Sequence, residues 1–267
     1  LAGTPGRVFL LSAVLLYNGV FLLLPLWAIV AQLANAGLRN ILNELSKPEA
    51  IQAMKMTAAL SGIAVIANVL VGVGGAMVLV RQRFAGRWVL NAIVDLPLAV
   101  SPVMIGLAFL LVVGRGGLLQ PLLDRLGWKV VFSFPGLVLA VLFVTLPFTL
   151  REVSHVLKEL GTNEEESAAT LGASPWQTFW LVTLPNIRDG LSFGVTLTVS
   201  RTLGEFGAVL VLGGAIAGKT QTATTFIYTA MEERSEAGAY GMALVLALTS
   251  MALLAVLEIL KRRRKGA

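Results

Sequence analysis

The acids and bases that could do chemistry in this chain are few, and the most conspicuous sit inside apolar runs. In S-R-T-L-G-E-F-G-A-V, residues 200–209, Arg201 and Glu205 are four apart, so a helix puts them on one face where they can pair. Ser200, Thr202 and Gly204, with Thr198 just before, make this the most polar part of any apolar run. An arginine near the middle of a bilayer costs roughly 2.5–3.5 kcal/mol on insertion scales, so it faces a helix bundle or a water-filled path. Two roles fit the pair. With the nearby hydroxyls it lines or gates an anion pathway, or it is an ion pair that fixes helix packing. Glu205 competes with any anion for a direct bond to Arg201.

A second stretch, D-L-P-L-A-V-S-P-V-M-I-G-L, covers residues 95–107. Pro97 and Pro102 each remove a backbone donor and so free carbonyls within a span. Again two readings are open. Asp95 lies near the inner membrane interface of a kinked helix and meets a loop cation, or the freed carbonyls and Ser101 form a site on a translocation path.

Other chemistry is excluded by residue type. The chain has no Cys, which removes disulfides, thiolate catalysis and Cys-ligated metals. His155 is the single histidine, so there is no His-cluster metal site. No Ser/His pair and no facing pair of aspartates suggests an intramembrane enzyme. No G-x4-G-K-[ST] loop is present, so the chain does not bind ATP through such a loop, and no cofactor is expected in it. The net charge of +6 does not point to nucleic acid, because the positives form no basic domain with interleaved aromatics.

The elements that must hold these residues follow from composition. Of 267 residues 56% are hydrophobic and 13% charged, against about 25% charged in a soluble domain. Mean hydropathy is +0.81. The lipid bilayer is therefore the expected surroundings, and the length suits about six spans of ~20 residues plus loops. We expect an all-α membrane protein, one domain over 1–267 with its core at about 54–260. The spans fall at about 8–33, 54–80, 88–113, 134–157, 187–212 and 239–260. The first run is too long for a signal-peptide core and is expected to be a retained span. Pro25 should kink it. Gly62, Gly72, Gly74 and Gly75 in the second span should let helices approach closely.

Orientation follows from Lys and Arg. With the N-terminus inside, twelve lie on the inner side and eight on the outer, with Arg201 inside a span. Five of the twelve are the cluster at 261–265. The bias favours both termini in the cytoplasm.

That orientation puts the polar stretch 162–185, T-N-E-E-E-S-A-A-T-L-G-A-S-P-W-Q-T-F-W-L-V-T-L-P, in the cytoplasm. Thr162 and Glu165 read as a capping box, with Glu164, Glu165 and Glu166 in the first turn where the helix dipole favours acids. Gly172 supplies a left-handed stop. Ser174 opens a second helix, with Pro175 at its first position and Gln177 reaching back. Trp176, Phe179, Trp180 and Thr183 share one face, and Pro185 should end the helix. The aromatic face either meets a partner or packs on its own bundle.

Glu166, Ser167, Ala168, Gly172, Val182, Leu184 and Pro185 match in spacing the E-A-A-x3-G-x9-I-x-L-P loop, and the stretch resembles the cytoplasmic loop of bacterial ABC importer permeases. Ser167 stands where that family most often has Ala, and Val182 replaces Ile. The resemblance implies that residues 158–185 form a coupling loop that docks on an ATPase. Glu164, Glu165, Glu166, Ala168, Leu171, Gly172, Ala173, Leu184 and Pro185 would make that coupling. Residues 95–107, 200–209 and G-K-T-Q-T-A-T at 218–224 are similar to the sulfate/thiosulfate permeases of the family, most of all to their CysW-type subunit. Molybdate and tungstate permeases resemble the chain through G-E-F-G-A, but tend to have a double proline where this chain has Ser101-Pro102.

The resemblance implies a type I importer fold and a plasma-membrane permease subunit. Its partners would be a second, CysT-type permease, a cytoplasmic ATPase dimer carrying ATP and Mg, and an extracytoplasmic sulfate-binding protein. Asp95, Ser101, Ser200, Arg201, Thr202 and Glu205 would lie on the path or its gate. Residues 213–234 would face the binding protein, with Thr220, Thr222, Thr224 and Thr225 as contact or turn residues. An ion-coupled secondary transporter, using Asp95, Arg201 and Glu205, is the competing class.

Overall fold

The computed structural model describes residues 4–265, and every regular element among them is helical. The chain opens with α1 (Thr4–Asn18), a π-helical turn (Gly19–Leu23) and α2 (Leu24–Ala36). Next come α3 (Leu38–Leu45), α4 (Pro48–Arg81), α5 (Arg87–Ala99), α6 (Pro102–Val113), α7 (Gln120–Arg125) and α8 (Phe134–Leu160). Two short helices follow, α9 (Asn163–Thr170) and α10 (Pro175–Thr178). A second π turn (Phe179–Thr183) leads into α11 (Leu184–Leu203), then α12 (Gly207–Gly213), α13 (Ala223–Glu232) and α14 (Glu236–Lys265).

Among the described residues three helices are long and apolar enough to cross a bilayer: α4, α8 and α14. Two more candidate spans are bent pairs. Helices α5 and α6 meet at 120°, so the third expected span is broken rather than kinked. The cause is local. Proline forces the residue before it out of the α region. Ser101 is extended at ψ 138°, and Val100 before it at ψ 140°, so two consecutive extended residues turn the chain. Helices α11 and α12 meet at 54°, so the fifth expected span is also divided, at residues 204–206.

Pro185 does not end its helix, contrary to expectation. The π turn before it carries the helix through, with the Leu184 N–H reaching back to the Phe179 carbonyl. The widened turn displaces the carbonyl that the proline ring would otherwise strike. A π turn likewise precedes Pro25, and residues 4–36 are helical throughout.

Helix α8 packs against both α4 and α11, which also touch each other. Val73, Ala76 and Leu79 of α4 interlock with Leu150, Val153 and Leu157 of α8 and Ile187 of α11. Lipid tails are as apolar as these side chains, so close packing and polar contacts hold the bundle rather than escape from water. Small residues allow it. A Cβ built on Gly72 would lie 3.0 Å from Thr149, and one on Gly75 would lie 2.9 Å from Leu150. Gly62 and Gly74 face open space, so two of the four expected small-residue contacts are made within the chain.

A polar seam runs through the same core. The Asn68 amide donates to Thr145 Oγ1 at 2.6 Å, and the Thr149 and Thr198 hydroxyls lie 3.0 Å apart, all buried. The segment expected to face the binding protein, 213–234, contains α13. Thr222 and Thr225 cap α13, and Thr220 bonds the Gly213 carbonyl at 2.6 Å. Thr220, Thr222 and Thr225 are buried turn residues, not exposed contacts.

Candidate functional site: an exposed elbow and two touching helix breaks

The elbow is built from local signals. Helix α9 ends in a Schellman motif: Ala173 N–H donates to the Ala168 carbonyl and Gly172 N–H to the Ala169 carbonyl, both at 3.0 Å. Gly172 takes φ +89°, as a left-handed stop requires. Ser174 and Gln177 form the expected capping box that opens α10. Helix α9 buries no residue, and Leu171, at the corner, is 89% exposed. Ala168 and Ala173 are half-buried beneath it.

Thr162 and Glu165 do not form the expected capping box. The Thr162 hydroxyl donates instead to Glu166 Oε1 at 2.6 Å. Glu165 turns inward, where Arg81 Nη2 and the Thr183 hydroxyl donate to its Oε1 at 3.2 and 2.9 Å. Arg81 Nε lies 3.0 Å from Glu165 Oε2, and Arg81 Nη1 donates to the Leu157 carbonyl at 3.0 Å. Glu164 accepts from the Asn186 amide. The three acids therefore do different things, although all sit in the first turn of α9.

Phe179 packs on the α4–α8 core, while Trp176 and Trp180 stay exposed. Together with Leu184 and Leu191 of α11 and Val73 and Met77 of α4 they line an apolar groove of about 680 Å³. Pro185 is exposed.

The second arrangement joins the two broken spans. A Cβ on Gly207 would meet the Val103 nitrogen at 3.0 Å and Pro102 Cβ at 3.3 Å. One on Gly106 would meet the Ala208 carbonyl at 3.2 Å. The break at Ser101-Pro102 therefore touches the break at 204–206, which residue order alone does not show. Arg201 Nη2 lies 2.8 Å from Glu205 Oε2, as their spacing predicts, although Glu205 stands beyond the end of α11. Its carboxylate is 1% exposed and accepts from the Ala208 N–H at 3.0 Å, so it ties α11 to α12. Arg201 is half-buried. Ser200 is exposed and donates to the Thr196 carbonyl, whereas Thr202 is buried and donates to Thr198. Ser101 is exposed at the start of α6.

Asp95 pairs with Arg151 at 2.7 Å. That cation lies in α8, not in a loop. Arg151 also donates to the side chain and carbonyl of Asn91, pinning α5 to α8.

The family described as "Binding-protein-dependent transport system inner membrane component" matches residues 68–266, a stretch that includes the elbow and both breaks. The chain belongs to that family. The sulfate transport system permease protein CysW of Synechococcus elongatus is 40% identical over 254 residues, covering 95% of this chain and 89% of its own. CysW of Escherichia coli is 39% identical over 258 residues, covering 97% and 89%. The CysT permease of Escherichia coli is 36% identical over 259 residues, covering 97% and 94%. In fold, the chain is similar to a bacterial alginate ABC transporter in complex with its periplasmic protein, at TM-score 0.81 and 19% identity over 97% and 96% of the two chains. This inner membrane component is thus an ABC transporter permease subunit with the type I importer fold.

Several residues that tie these helices together do not stand out when the chain is read as a string. Arg81 reads as one of three loop arginines, yet it organises the elbow. Asn68 and Thr145 are polar groups inside apolar runs, and that position is itself a signal. Thr183 reads as one member of an aromatic face.

Proposed function

We propose that this permease subunit carries sulfate, with thiosulfate as a second cargo, through an ATP-driven importer in the bacterial plasma membrane. Both termini and residues 158–185 lie in the cytoplasm, where the elbow docks on an ATPase dimer that holds the ATP and Mg. A second, CysT-type permease completes the path, and an extracytoplasmic sulfate-binding protein delivers the anion. The observation that carries this reading is the elbow. An eight-residue helix that buries nothing and ends in a bare leucine is a poor element for a lone protein, and a good knob for a partner's groove. The CysW and CysT names of the relatives support sulfate over molybdate or tungstate. An ion-coupled secondary transporter would leave the elbow without an occupant.

The mechanism follows from the joints. Closure of the ATPase dimer moves the elbow, the elbow moves the spans rooted in it, and the path opens outward. The touching breaks lie on that path. The extended residues 100–101 and the turn at 204–206 interrupt the two spans there, with the half-buried Arg201 within one turn of the second break.

The test is co-expression with the ATPase, the second permease and the binding protein, followed by uptake of radiolabelled sulfate into proteoliposomes. ATP-dependent uptake that unlabelled thiosulfate inhibits and molybdate does not is expected. Uptake without an ATPase, or inhibition by molybdate alone, would overturn the assignment.

A further inference from the structure

We infer that Arg81, through Glu165, is the positioning residue that transmits elbow motion to three spans at once; the inference rests on the coupling reading above. Glu165 stands in the acid run of the elbow, where it would be taken for a contact to the ATPase. Its geometry says otherwise. Both oxygens face inward, one toward Arg81 and Thr183, the other toward Arg81 alone. Arg81 is the last residue of α4. Thr183 is the last residue of the π turn that runs into α11. The Leu157 carbonyl, which Arg81 also holds, belongs to the last turn of α8. The end of α4 and the start of α11 therefore meet at one carboxylate of α9, and Arg81 ties the end of α8 to the same point.

The physical consequence is rigidity where it matters. The side chains of Arg81 and Glu165 are 17% and 23% exposed, so salt screens the pair less than an open surface pair. A guanidinium offers its donors in a fixed planar fork, which constrains direction as well as distance. Elsewhere α9 buries nothing and is tied back by Asn186 on Glu164. Without the Arg81 link, a push on the elbow would swing α9 about its turns rather than move the spans. The Thr183 hydroxyl holds the other end of the lever at the π turn, a deformable point in a helix.

The experiment uses the complete complex in proteoliposomes and reads sulfate moved per ATP hydrolysed, with co-purification of the ATPase as control. Arg81→Gln and Glu165→Gln are each expected to keep the ATPase bound and hydrolysing. Each should lower sulfate per ATP about tenfold, within the usual range of coupling between distant sites. The double variant should do no worse than either single, because both break one link. Arg81→Lys, which keeps the charge and loses the fork, should recover part of the loss. Should Arg81→Gln fail to insert, Glu165→Gln and Thr183→Val carry the test, and full coupling in both would sink the proposal. So would losses that multiply in the double variant, or loss of the ATPase from Arg81→Gln. In parallel, Leu171→Arg alters only the exposed corner and is expected to shed the ATPase. If it keeps the ATPase and normal uptake, the coupling reading fails and this one with it. If it sheds the ATPase while Arg81→Gln stays fully coupled, only the inference about Arg81 fails.

Discussion

Gly194 lies directly against Thr149: a Cβ built on the glycine would stand 2.7 Å from the threonine Cα. Gly72 of α4 approaches the same threonine, so two glycines on neighbouring helices pack on α8 at one level. The neighbour at Gly194 is backbone, which cannot rotate away. Gly194→Ala should therefore force α8 and α11 apart and destabilise the fold by about 1–3 kcal/mol, the usual cost of overpacking. Gly74→Ala, which meets nothing within 4 Å, should be neutral. Thermal unfolding in detergent checks the contrast, and equal midpoints would contradict it.

Gly172 can be replaced only at the expense of its backbone shape. At φ +89° an L-residue is strained, and proline cannot reach that angle at all. Gly172→Pro should leave insertion and ATP hydrolysis in place while uptake is lost. A bulky residue at the half-buried Ala168 should act in the same direction by lifting the Schellman turn. Normal uptake by both variants would remove the coupling role of the elbow.

Asn68 crosses from α4 to Thr145 of α8 inside the bundle. Asn68→Ala should cost about 0.6 kcal/mol and no more than about 1.7, as measured for hydrogen bonds between membrane helices. Asn68→Asp should cost more, because among the described residues no cation faces that position. Comparing the unfolding midpoints of the two variants decides this, and an ordering opposite to the one given would refute it.

Arg201 and Glu205 can be tested as a path or as a packing device. Arg201→Ala leaves a buried carboxylate unpaired, which typically costs about 3–5 kcal/mol, so failure of that variant alone decides nothing. Arg201→Gln with Glu205→Gln keeps shape and removes both charges. Recovery of assembly without recovery of sulfate uptake is expected if the pair lines the path. Recovery of both would assign it to packing.

The legible features were those that a short stretch of chain settles within itself. The capping box of Ser174 and Gln177, the stop at Gly172 and the pairing of Arg201 with Glu205 need only neighbours within five residues. Thr162 and Glu165 have equally good spacing for a box, yet the box is absent. Arg81, 84 positions away, takes Glu165 instead. Pro185 departs from its expected role for a related reason. Its ring forbids an ordinary α turn, but the packed core around Phe179 and Ile187 stabilises a π turn that spacing rules do not anticipate.

Residue order alone dictated an all-helical membrane bundle with a hinged polar elbow, because a bilayer makes each helix satisfy its own backbone and punishes charge in its interior. Folding in three dimensions chose which charges and breaks meet: Arg81 with Glu165, Asp95 with Arg151, and Ser101-Pro102 with Gly207. Those contacts join helices far apart in the chain, and only the packing of side chains between them determines who stands beside whom.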